Sequence, residues 1–367
     1  MVAPLIPASP HTRSGKLLEL HYFYRRGTSA SDRKYKVVET WTHVGKIGCG
    51  SYGSVWLEQR KDSTRGDGPS VRAVKEIKVN PKTMFMAGRE LDAIFTFSHN
   101  KYEPRFVKSY GWFRTANAIF ITMEYIEHGD LRANLKGPLK ETEARTIAWQ
   151  LSEGLRYMHD KGFVHRDLKP GNILVVSPGP DWLVQISDFG LTRRLDESDQ
   201  NTMRQGTLGY IAPELLGLID GGCSPAADMW SLGSVIYRVL TGREFLRDVG
   251  EVRKYVNGQT TFPLSDIRGV GLSEGGIDFL QKLLKVNPGS RISAANALRH
   301  CWPQAAAQDT LPIPEGAGPE PPSSDSALIP IMGPKPESSA RQEDSTIPSA
   351  AWSWTDSNIP ANQMEPP

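Results

Sequence analysis

The spacing of the hydrophobic residues changes near residue 130, and this change restricts the possible folds more than any other feature of the chain. Between 41 and 126 apolar residues alternate with polar ones or form short runs, a pattern that predicts strands at 41–47, 54–59, 71–79, 106–113 and 118–125. One helical stretch, 82–97, interrupts these strands. From 130 onward apolar residues recur every three or four positions, most clearly over 141–161, 225–241 and 275–285, which predicts helices. We therefore predict an α+β fold with a small β-rich lobe at 41–126, a larger helical lobe at 127–303 and a cleft between them.

The segments on either side of these lobes differ from them in composition. Residues 1–40 are irregular and mildly basic, and we predict a partly disordered leader; the alternative is that the aromatic patch at 21–24 packs on the domain as a strand. Beyond Pro303 lie 12 of the 27 prolines, and residues 305–367 contain nine acidic and two basic residues. Such a segment cannot bury enough apolar surface to offset the entropy of ordering it. We therefore predict a disordered acidic tail at 304–367, in which 351–354 is a candidate docking element.

Charge and cysteine content narrow the possible partners and compartments. The net charge of +2 is too small to favour nucleic acid or a membrane surface as the main partner. The three cysteines (Cys49, Cys223 and Cys301) lie far apart, which fits free thiols in a reducing compartment better than a disulfide framework or a zinc site. No apolar run reaches the roughly 18 residues needed to span a bilayer. We expect a soluble intracellular protein, cytoplasmic or nuclear, that acts as a monomer and binds neither nucleic acid nor membrane.

A glycine-rich turn joins the first two predicted strands. Residues 48–55 read Gly-Cys-Gly-Ser-Tyr-Gly-Ser-Val, and the glycines let the backbone approach phosphate oxygens without a β-carbon between them. The signal is weak alone, because similar turns occur in dinucleotide-binding folds. Here a strand follows the turn instead of a helix, which disfavours a dinucleotide site.

The next strand contains a lysine within an apolar run. Lys75 either extends its stem to the surface or holds nucleotide phosphates, fixed by a carboxylate on the neighbouring helix. Glu90 is the best candidate partner, because Glu76 would point to the opposite face of the strand and Asp92 away from Glu90 on the helix.

The strongest motif is His-Arg-Asp-Leu-Lys-Pro-Gly-Asn at 165–172, which lies between a helix and a short apolar strand. Asp167 can accept a hydroxyl proton, and Asn172 can bind a magnesium ion. Asp-Phe-Gly follows at 188–190, so Asp188 would be a second oxygen ligand of the metal. Each piece alone would fit an ordinary turn or cap, but chance does not account for the ordered set.

Together these motifs resemble the eukaryotic protein kinase domain over residues 41–303. The resemblance implies a two-lobed kinase fold, ATP and Mg²⁺ as cofactors, and a metal site at Asn172 and Asp188. It implies catalytic roles for Asp167, Lys169, Lys75 and Glu90. It further implies that Met123 is the gatekeeper and that 124–126 is the hinge. The implied nucleotide-binding residues are Ile47, Gly48, Gly50, Gly53, Val55, Ala73, Lys75, Met123, Glu124, Ile126 and Leu174.

Other positions resemble structural parts of that family. Asp228 is similar to the residue that anchors the catalytic loop, and Arg291 to the arginine that pairs with Glu214 of the Ala-Pro-Glu motif at 212–214. Three further positions, Ile94, Phe189 and His165, resemble the regulatory spine.

Substrate class follows from the same resemblance. Lys169 and the segment Gly-Thr-Leu-Gly-Tyr at 206–210 are similar to the serine/threonine branch, and Thr207 would bridge Asp167 and Lys169. Residues 291–302 resemble the calcium/calmodulin-dependent and checkpoint-kinase group. Kinases that prefer basic peptides often have glutamate at the position of Gly171, so a preference for arginine upstream of the target residue is in doubt. Asp130, at the mouth of the cleft, would bind the peptide or the ribose.

The predicted function is therefore that of a non-specific serine/threonine protein kinase acting on protein substrates. The alternative is a pseudokinase scaffold, which is disfavoured because Lys75, Asp167, Asn172 and Asp188 are all present. A small-molecule kinase is disfavoured by Thr207 and the complete motif at 212–214. Arg166 beside the catalytic aspartate predicts that phosphate on Ser198 or Thr202, added by an upstream kinase, raises activity.

Overall fold

The computed structural model describes residues 6–7, 11–13, 16–25, 35–50, 53–61, 69–97, 104–195 and 206–309. All of them belong to one unit of the chain that extends from Met1 to Ile313. The predicted disordered tail begins at 304, whereas the structure has 304–309 in a helix, Cys301–Asp309. The rest of the predicted tail, 310–367, and the candidate docking element in it lie outside the described residues.

The strand-like part of the sequence forms an antiparallel sheet. Its five predicted strands are β4 (Tyr35–Gly50), β5 (Gly53–Arg60), β6 (Val71–Lys78), β7 (Ser109–Arg114) and β8 (Ala118–Met123), in the order β4-β5-β6-β8-β7. Three strands of the leader extend this sheet beyond β4: β1 (Ile6–Pro7), β2 (His11–Arg13) and β3 (Lys16–Arg25). The patch at 21–24 therefore lies in a strand, paired with 36–39 of β4.

Strand alternation gives the sheet two different faces. Arg72 and Glu58 are directly opposite each other on β6 and β5, and their buried side chains form an ion pair with 2.6 Å between Arg72 Nη2 and a Glu58 carboxylate oxygen. Ala73 and Lys75 alternate with Arg72 along β6, so their side chains lie on the other face. On that face helix α1 (Pro81–Phe97) supplies a partner for Lys75.

The second part of the chain is helical, with short paired strands near its boundary with the sheet. Its helices are α2 (Leu131–Asn134), α3 (Glu141–Asp160), α4 (Pro225–Thr241), α5 (Val249–Val256), α6 (Leu264–Gly269), α7 (Glu274–Leu283), α8 (Ala294–Arg299) and α9 (Cys301–Asp309). The paired strands are β10 (Ile173–Ser177) with β11 (Leu183–Ile186), and β9 (Phe163–Val164) with β12 (Arg193–Arg194). The predicted two-lobed α+β fold is confirmed.

Helices α3 and α4 form the floor beneath the cleft. The apolar positions of α3 that recur every three or four residues are fully buried, as the pattern predicts. Pro225 occupies the first turn of α4, where its missing N–H costs nothing, and Gly242 ends the helix at a φ of 71°. The same core includes Phe97 of α1, so this helix is anchored to the helical lobe as well as to the sheet.

Among the described residues, no helix is both long enough and apolar enough to cross a membrane.

Candidate active site

Strand β5, which follows the glycine-rich turn, pairs directly with β6, the strand that holds Lys75. In the pairing of β4 with β5, Gly48 is opposite Val55 and Gly50 is opposite Gly53. Ser51 and Tyr52, between the two strands, are outside the described residues. A β-carbon at Gly53 would lie 1.9 Å from the backbone oxygen of Glu76, so only glycine fits there. The backbone of Gly53 therefore lies at contact distance from β6.

Lys75 is shared by two carboxylates. Its Nζ lies 2.6 Å from an oxygen of Glu90 and 2.7 Å from Oδ1 of Asp188. Lys75 and Glu90 are buried, whereas the Asp188 side chain is 36% exposed. The contact predicted between Lys75 and Glu90 is present, and Asp188 joins it from 113 residues further along the chain. The Lys75 ammonium group thus joins the sheet to helix α1 and to the Asp-Phe-Gly segment.

Burial and the neighbouring charges shift the pKa values of the three residues of this cluster. Burial opposes the charge on Lys75, but Asp188 and Glu90 outweigh that effect and raise the pKa of Lys75. Burial also works against the Asp188 carboxylate, yet Lys75 lowers the pKa of Asp188 to about 2. Burial raises the pKa of Glu90, which the charge of Lys75 opposes and that of Asp188 reinforces. Lys75 and Asp188 are thus held in their charged forms, and Asp188 is the member of this pair that is exposed.

The backbone at Asp188 is strained and held by aromatic packing. Asp188 has a φ of 60°, in the left-handed region that costs a non-glycine residue free energy. The next ring, Phe189, lies 6.0 Å from each of Phe97, Phe106 and His165, measured between ring centroids. Buried aromatic contacts on three sides fix Phe189 and, through it, the direction of the Asp188 carboxylate.

Asp167 is the centre of a second hydrogen-bond network. Its Oδ2 accepts from Lys169 Nζ at 2.6 Å and from Asn172 Nδ2 at 2.9 Å. Its Oδ1 accepts from Thr207 Oγ1 at 2.8 Å, and Lys169 also donates to Thr207 at 2.6 Å. The predicted bridge by Thr207 is therefore present. It joins the catalytic-loop motif to the segment at 206–210.

Asp228 fixes this loop from below. Its buried carboxylate accepts the backbone N–H groups of His165 and Arg166, both at 2.8 Å, and it contacts His159 Nε2 at 2.9 Å. Burial alone would raise the pKa of Asp228, but these partners, His159 above all, lower it. Arg166 has a φ of 70°, so the bond to its N–H stabilises a strained turn directly before Asp167.

The residues proposed as metal ligands can present oxygens to a cation. The amide nitrogen of Asn172 donates to Asp167, which leaves its Oδ1 as a possible ligand. Asp188 uses Oδ1 for Lys75 and Gly190, and its carboxylate remains partly exposed. No cluster of three or more His, Cys, Asp or Glu able to hold a metal is found in the described part of the chain. One carboxylate and one amide oxygen fit Mg²⁺, which usually takes its other ligands from water and phosphate.

The residues predicted to bind adenine come from both lobes. Ala73 is buried and lies opposite Met123 on the neighbouring strand. The backbone N–H of Glu124 donates to the backbone oxygen of Lys108, and the backbone N–H of Lys108 donates to the Glu124 side chain. These two hydrogen bonds fix the start of the predicted hinge. On the helical lobe, Leu174 pairs with Asp130 in an isolated bridge. The remaining predicted positions are Ile47, Val55 and Ile126, of which Ile47 is 46% exposed and the others are half-buried.

Sequence reasoning did not find every residue at this site. Ile94, predicted to belong to the regulatory spine, packs against the cores of both lobes. Two rings that were not predicted, those of Phe97 and Phe106, pack on Phe189. Their only sequence signal is an aromatic residue at the end of α1 and another before β7. Ser198 and Thr202, the predicted sites of activating phosphorylation, lie outside the described residues.

Residues 41–303 match the family described as the protein kinase domain. The match covers more than half of the 367 residues, and the chain belongs to the protein kinase family.

Individual relatives are named serine/threonine kinases. The serine/threonine-protein kinase cds1 of Schizosaccharomyces pombe is 31% identical over 283 residues, which are 73% of this chain and 58% of that protein. For RAD53 of Saccharomyces cerevisiae the identity is 32% over 278 residues, 70% of this chain and 32% of that protein. Human serine/threonine-protein kinase H1 is 36% identical over 197 residues, 52% of this chain and 46% of that protein. The family resemblance predicted from the motifs is confirmed, although the matches span less than two thirds of each relative.

Proposed function

We propose that this chain transfers the γ-phosphoryl group of Mg–ATP to serine and threonine hydroxyls of proteins, as a non-specific serine/threonine protein kinase. The observation that carries the proposal is the joint placement of two networks, one centred on Asp167 and one on Lys75. Positioning and charge stabilisation supply most of the catalysis of phosphoryl transfer, so fixed polar groups are the machinery this reaction needs.

In this proposal Asp167 orients the attacking hydroxyl and accepts its proton. The carboxylate is held from both sides by Thr207 and Asn172, which limits its rotation. Lys169 bonds to the same carboxylate and would stabilise negative charge on the phosphoryl group in transfer. The strained backbone before Asp167 stays in place because Asp228 binds it.

The nucleotide would bind between the glycine-rich turn and the hinge. Gly48, Gly50 and Gly53 carry no β-carbon, so phosphate oxygens could approach the backbone N–H groups of this turn. Lys75 would donate to phosphate while Glu90 positions its ammonium group. The adenine would lie among apolar side chains of both lobes, those of Val55, Ala73 and Leu174.

Asn172 and Asp188 would hold Mg²⁺. Bound Mg²⁺ neutralises phosphate charge and orients the phosphates for in-line transfer. The negative charge left on Asp188 beside Lys75 supports this role, because a divalent cation compensates it.

The domain boundaries at 40/41 and 303/304 belong to the same proposal, as do an intracellular location and activation by an upstream kinase at Ser198 or Thr202. The match over 41–303 supports both boundaries, although β4 extends across the first and α9 across the second.

The test is transfer of labelled γ-phosphate from Mg–ATP to peptides that differ only in a serine, threonine or tyrosine at one position. We expect transfer to the serine and threonine peptides and loss of transfer in Asp188→Ala. Nucleotide binding without transfer to any peptide, even after treatment with an activating kinase, would instead indicate a pseudokinase scaffold. Transfer to tyrosine alone would contradict the substrate class.

A further inference from the structure

An ion pair that the proposed catalysis does not use connects helix α1 to the helical lobe. Arg194 Nε lies 2.9 Å from Oδ2 of Asp92, and the two side chains are 44% and 47% exposed. Asp92 belongs to α1, the helix that carries Glu90, whereas Arg194 belongs to β12. Within the described residues Asp92 pairs with no other cation. The pair therefore joins the helix beside the nucleotide site to a strand of the other lobe.

The position of Arg194 is fixed by the helical lobe. Its backbone pairs with that of Phe163 on β9, and the N–H of the next residue, Leu195, donates to the backbone oxygen of Gly162 at 2.9 Å. The guanidinium carbon of Arg194 lies 4.8 Å from the centroid of the Phe163 ring. A guanidinium over an aromatic face is attracted by the ring electrons. Arg194 is therefore held in place by its backbone and its side chain, and its charge reaches Asp92 from there.

Asp92 and Glu90 lie on different sides of α1. Two positions along an α-helix correspond to a rotation of about 200°, because each residue turns the chain by about 100°. Glu90 is buried and contacts Lys75 at 2.6 Å, whereas Asp92 is half-exposed and contacts Arg194. The sheet thus holds one side of the helix and the helical lobe holds the other. A rotation of α1 that separates Glu90 from Lys75 also moves Asp92 away from Arg194.

The end of the same helix is anchored separately. Phe97, the last residue of α1, packs edge-on against Phe163 with 5.4 Å between ring centroids and belongs to the core of the helical lobe. Phe163 thus contacts both Phe97 and the guanidinium of Arg194. A helix anchored at its end can still turn about its own axis. The contact at Asp92, which lies away from that end, restrains this rotation.

We propose that Arg194 is a positioning residue of the nucleotide site, which holds Asp92, fixes the rotation of α1 and so keeps Glu90 in contact with Lys75. This inference rests on the proposed function and names a residue that acts on the same site through Glu90. Arg194 itself touches neither nucleotide nor peptide. Water screens a half-exposed ion pair, so the expected effect on nucleotide affinity is modest, about two- to fivefold.

The first test measures steady-state kinetics of Arg194→Gln and Asp92→Asn. We expect KM for ATP to rise about two- to fivefold and kcat to fall, whereas KM for the peptide stays unchanged. Arg156→Gln is the matched control, because Arg156 pairs with Asp160 at 3.9 Å and its guanidinium carbon lies 4.8 Å from the centroid of the Tyr157 ring, all within α3. The control has the same two kinds of contact but joins no second element. An equal KM for ATP in Arg194→Gln and Arg156→Gln would overturn the proposal.

Combined variants show whether the effect passes through Glu90. The double variant Asp92→Asn/Arg194→Gln should have the same KM for ATP as either single variant, because both remove one contact. In Glu90→Ala the contact that Arg194 positions is absent, so adding Arg194→Gln should leave KM for ATP unchanged. A purely structural role of Arg194 would instead add its full effect in the Glu90→Ala background. That result would contradict the assignment.

Direct binding separates this inference from the proposed function. The Kd of a fluorescent ATP analogue with Mg²⁺ should rise about two- to fivefold in Arg194→Gln and stay unchanged in Arg156→Gln, whether or not phosphate is transferred. Weaker binding in Arg194→Gln without transfer to any peptide by the unchanged chain would contradict the proposed function alone. Transfer by the unchanged chain with equal Kd values in Arg194→Gln and Arg156→Gln would contradict the inference alone.

Discussion

Two buried cation–carboxylate clusters in this protein differ in how completely their charges are satisfied. Arg291 lies between two oxygens of Glu214, at 2.7 and 3.1 Å, and both side chains have no solvent exposure. Its remaining donors reach backbone oxygens of Lys285, Ala226 and Val286. Lys75, by contrast, is shared by Glu90 and Asp188, and the latter is partly exposed.

The difference separates a structural pair from a site with remaining binding capacity. The five N–H donors of Arg291 are all used, so the pair can only hold the loop after α7 against the Ala-Pro-Glu segment. The Lys75 cluster joins a sheet, a helix and a strained loop but leaves the Asp188 carboxylate partly exposed at its open side. Unsatisfied charge in a cleft indicates a functional site, whereas saturated charge in a core indicates architecture.

Removal of the shared cation tests the comparison most severely. We expect Lys75→Ala to lower the rate of peptide phosphorylation by about 10³-fold or more, because Glu90 and Asp188 lose their common partner and phosphate loses a donor. Initial rates at saturating Mg–ATP measure this effect. Lys78→Ala, three positions along the same strand and exposed, is the control and should keep its rate. A Lys75→Ala variant as active as that control would show that the cluster is architectural.

Removal of the saturated cation should act on stability. Arg291→Ala leaves Glu214 buried without a partner, so we expect the free energy of unfolding to fall by about 3–5 kcal/mol. Urea denaturation followed by circular dichroism measures it. The exposed pair of Arg268 and Glu274 provides the control: Arg268→Ala should cost no more than about 1 kcal/mol. An equal loss of unfolding free energy in the two variants would contradict the distinction between the buried, fully hydrogen-bonded pair and the surface pair.

Glu90→Gln sharpens the comparison within the Lys75 cluster. Asp188 still holds Lys75 in this variant, so we expect roughly 10- to 100-fold lower turnover, less than the loss in Lys75→Ala. Because Glu90 positions Lys75 and does not touch the substrate hydroxyl, KM for ATP should rise as well as kcat fall. A loss confined to KM for the peptide would place Glu90 outside the nucleotide site.

The smallest expected effect concerns Glu141, an acid near the surface whose carboxylate already accepts several hydrogen bonds. Glu141 accepts from Trp302 Nε1 and from Ser273, which joins α3, α7 and α9. Burial works against its charge, but these hydrogen bonds lower the pKa of Glu141 below 4.5. A lowered pKa means that the carboxylate stabilises the fold above about pH 4.5 and loses this contribution as the pH falls further.

Glu141→Gln should therefore be less stable than the unchanged protein by roughly 1 kcal/mol at pH 7, with a difference that shrinks below pH 4.5. Urea denaturation at pH 7, 5 and 4 measures this trend. A difference that grows as the pH falls would reverse the assigned sign.

The sequence predicted features that depend on local spacing. Strand alternation placed Lys75 on the inner face of β6, and helical spacing placed Glu90 within its reach on α1. The motif at 165–172 predicted a loop that brings Asp167 and Asn172 together, because five residues of turn suffice to do so. The roles of these residues stay predictions.

Contacts between distant parts of the chain were not predicted in this way. Nothing near Phe97 or Phe106 indicates that both rings pack on Phe189. Such contacts depend on how the two lobes and the core helix α4 pack, and no local period encodes that packing.

The measurement that tests the central claim most directly is incorporation of phosphate by the purified chain itself, incubated with Mg–ATP beside an Asp188→Ala variant and mapped by mass spectrometry. We predict phosphate on serine or threonine in the unchanged chain and none in the variant. Equal incorporation in both, or none in either after an activating kinase and a peptide library have been added, would contradict the assignment of this site to phosphoryl transfer.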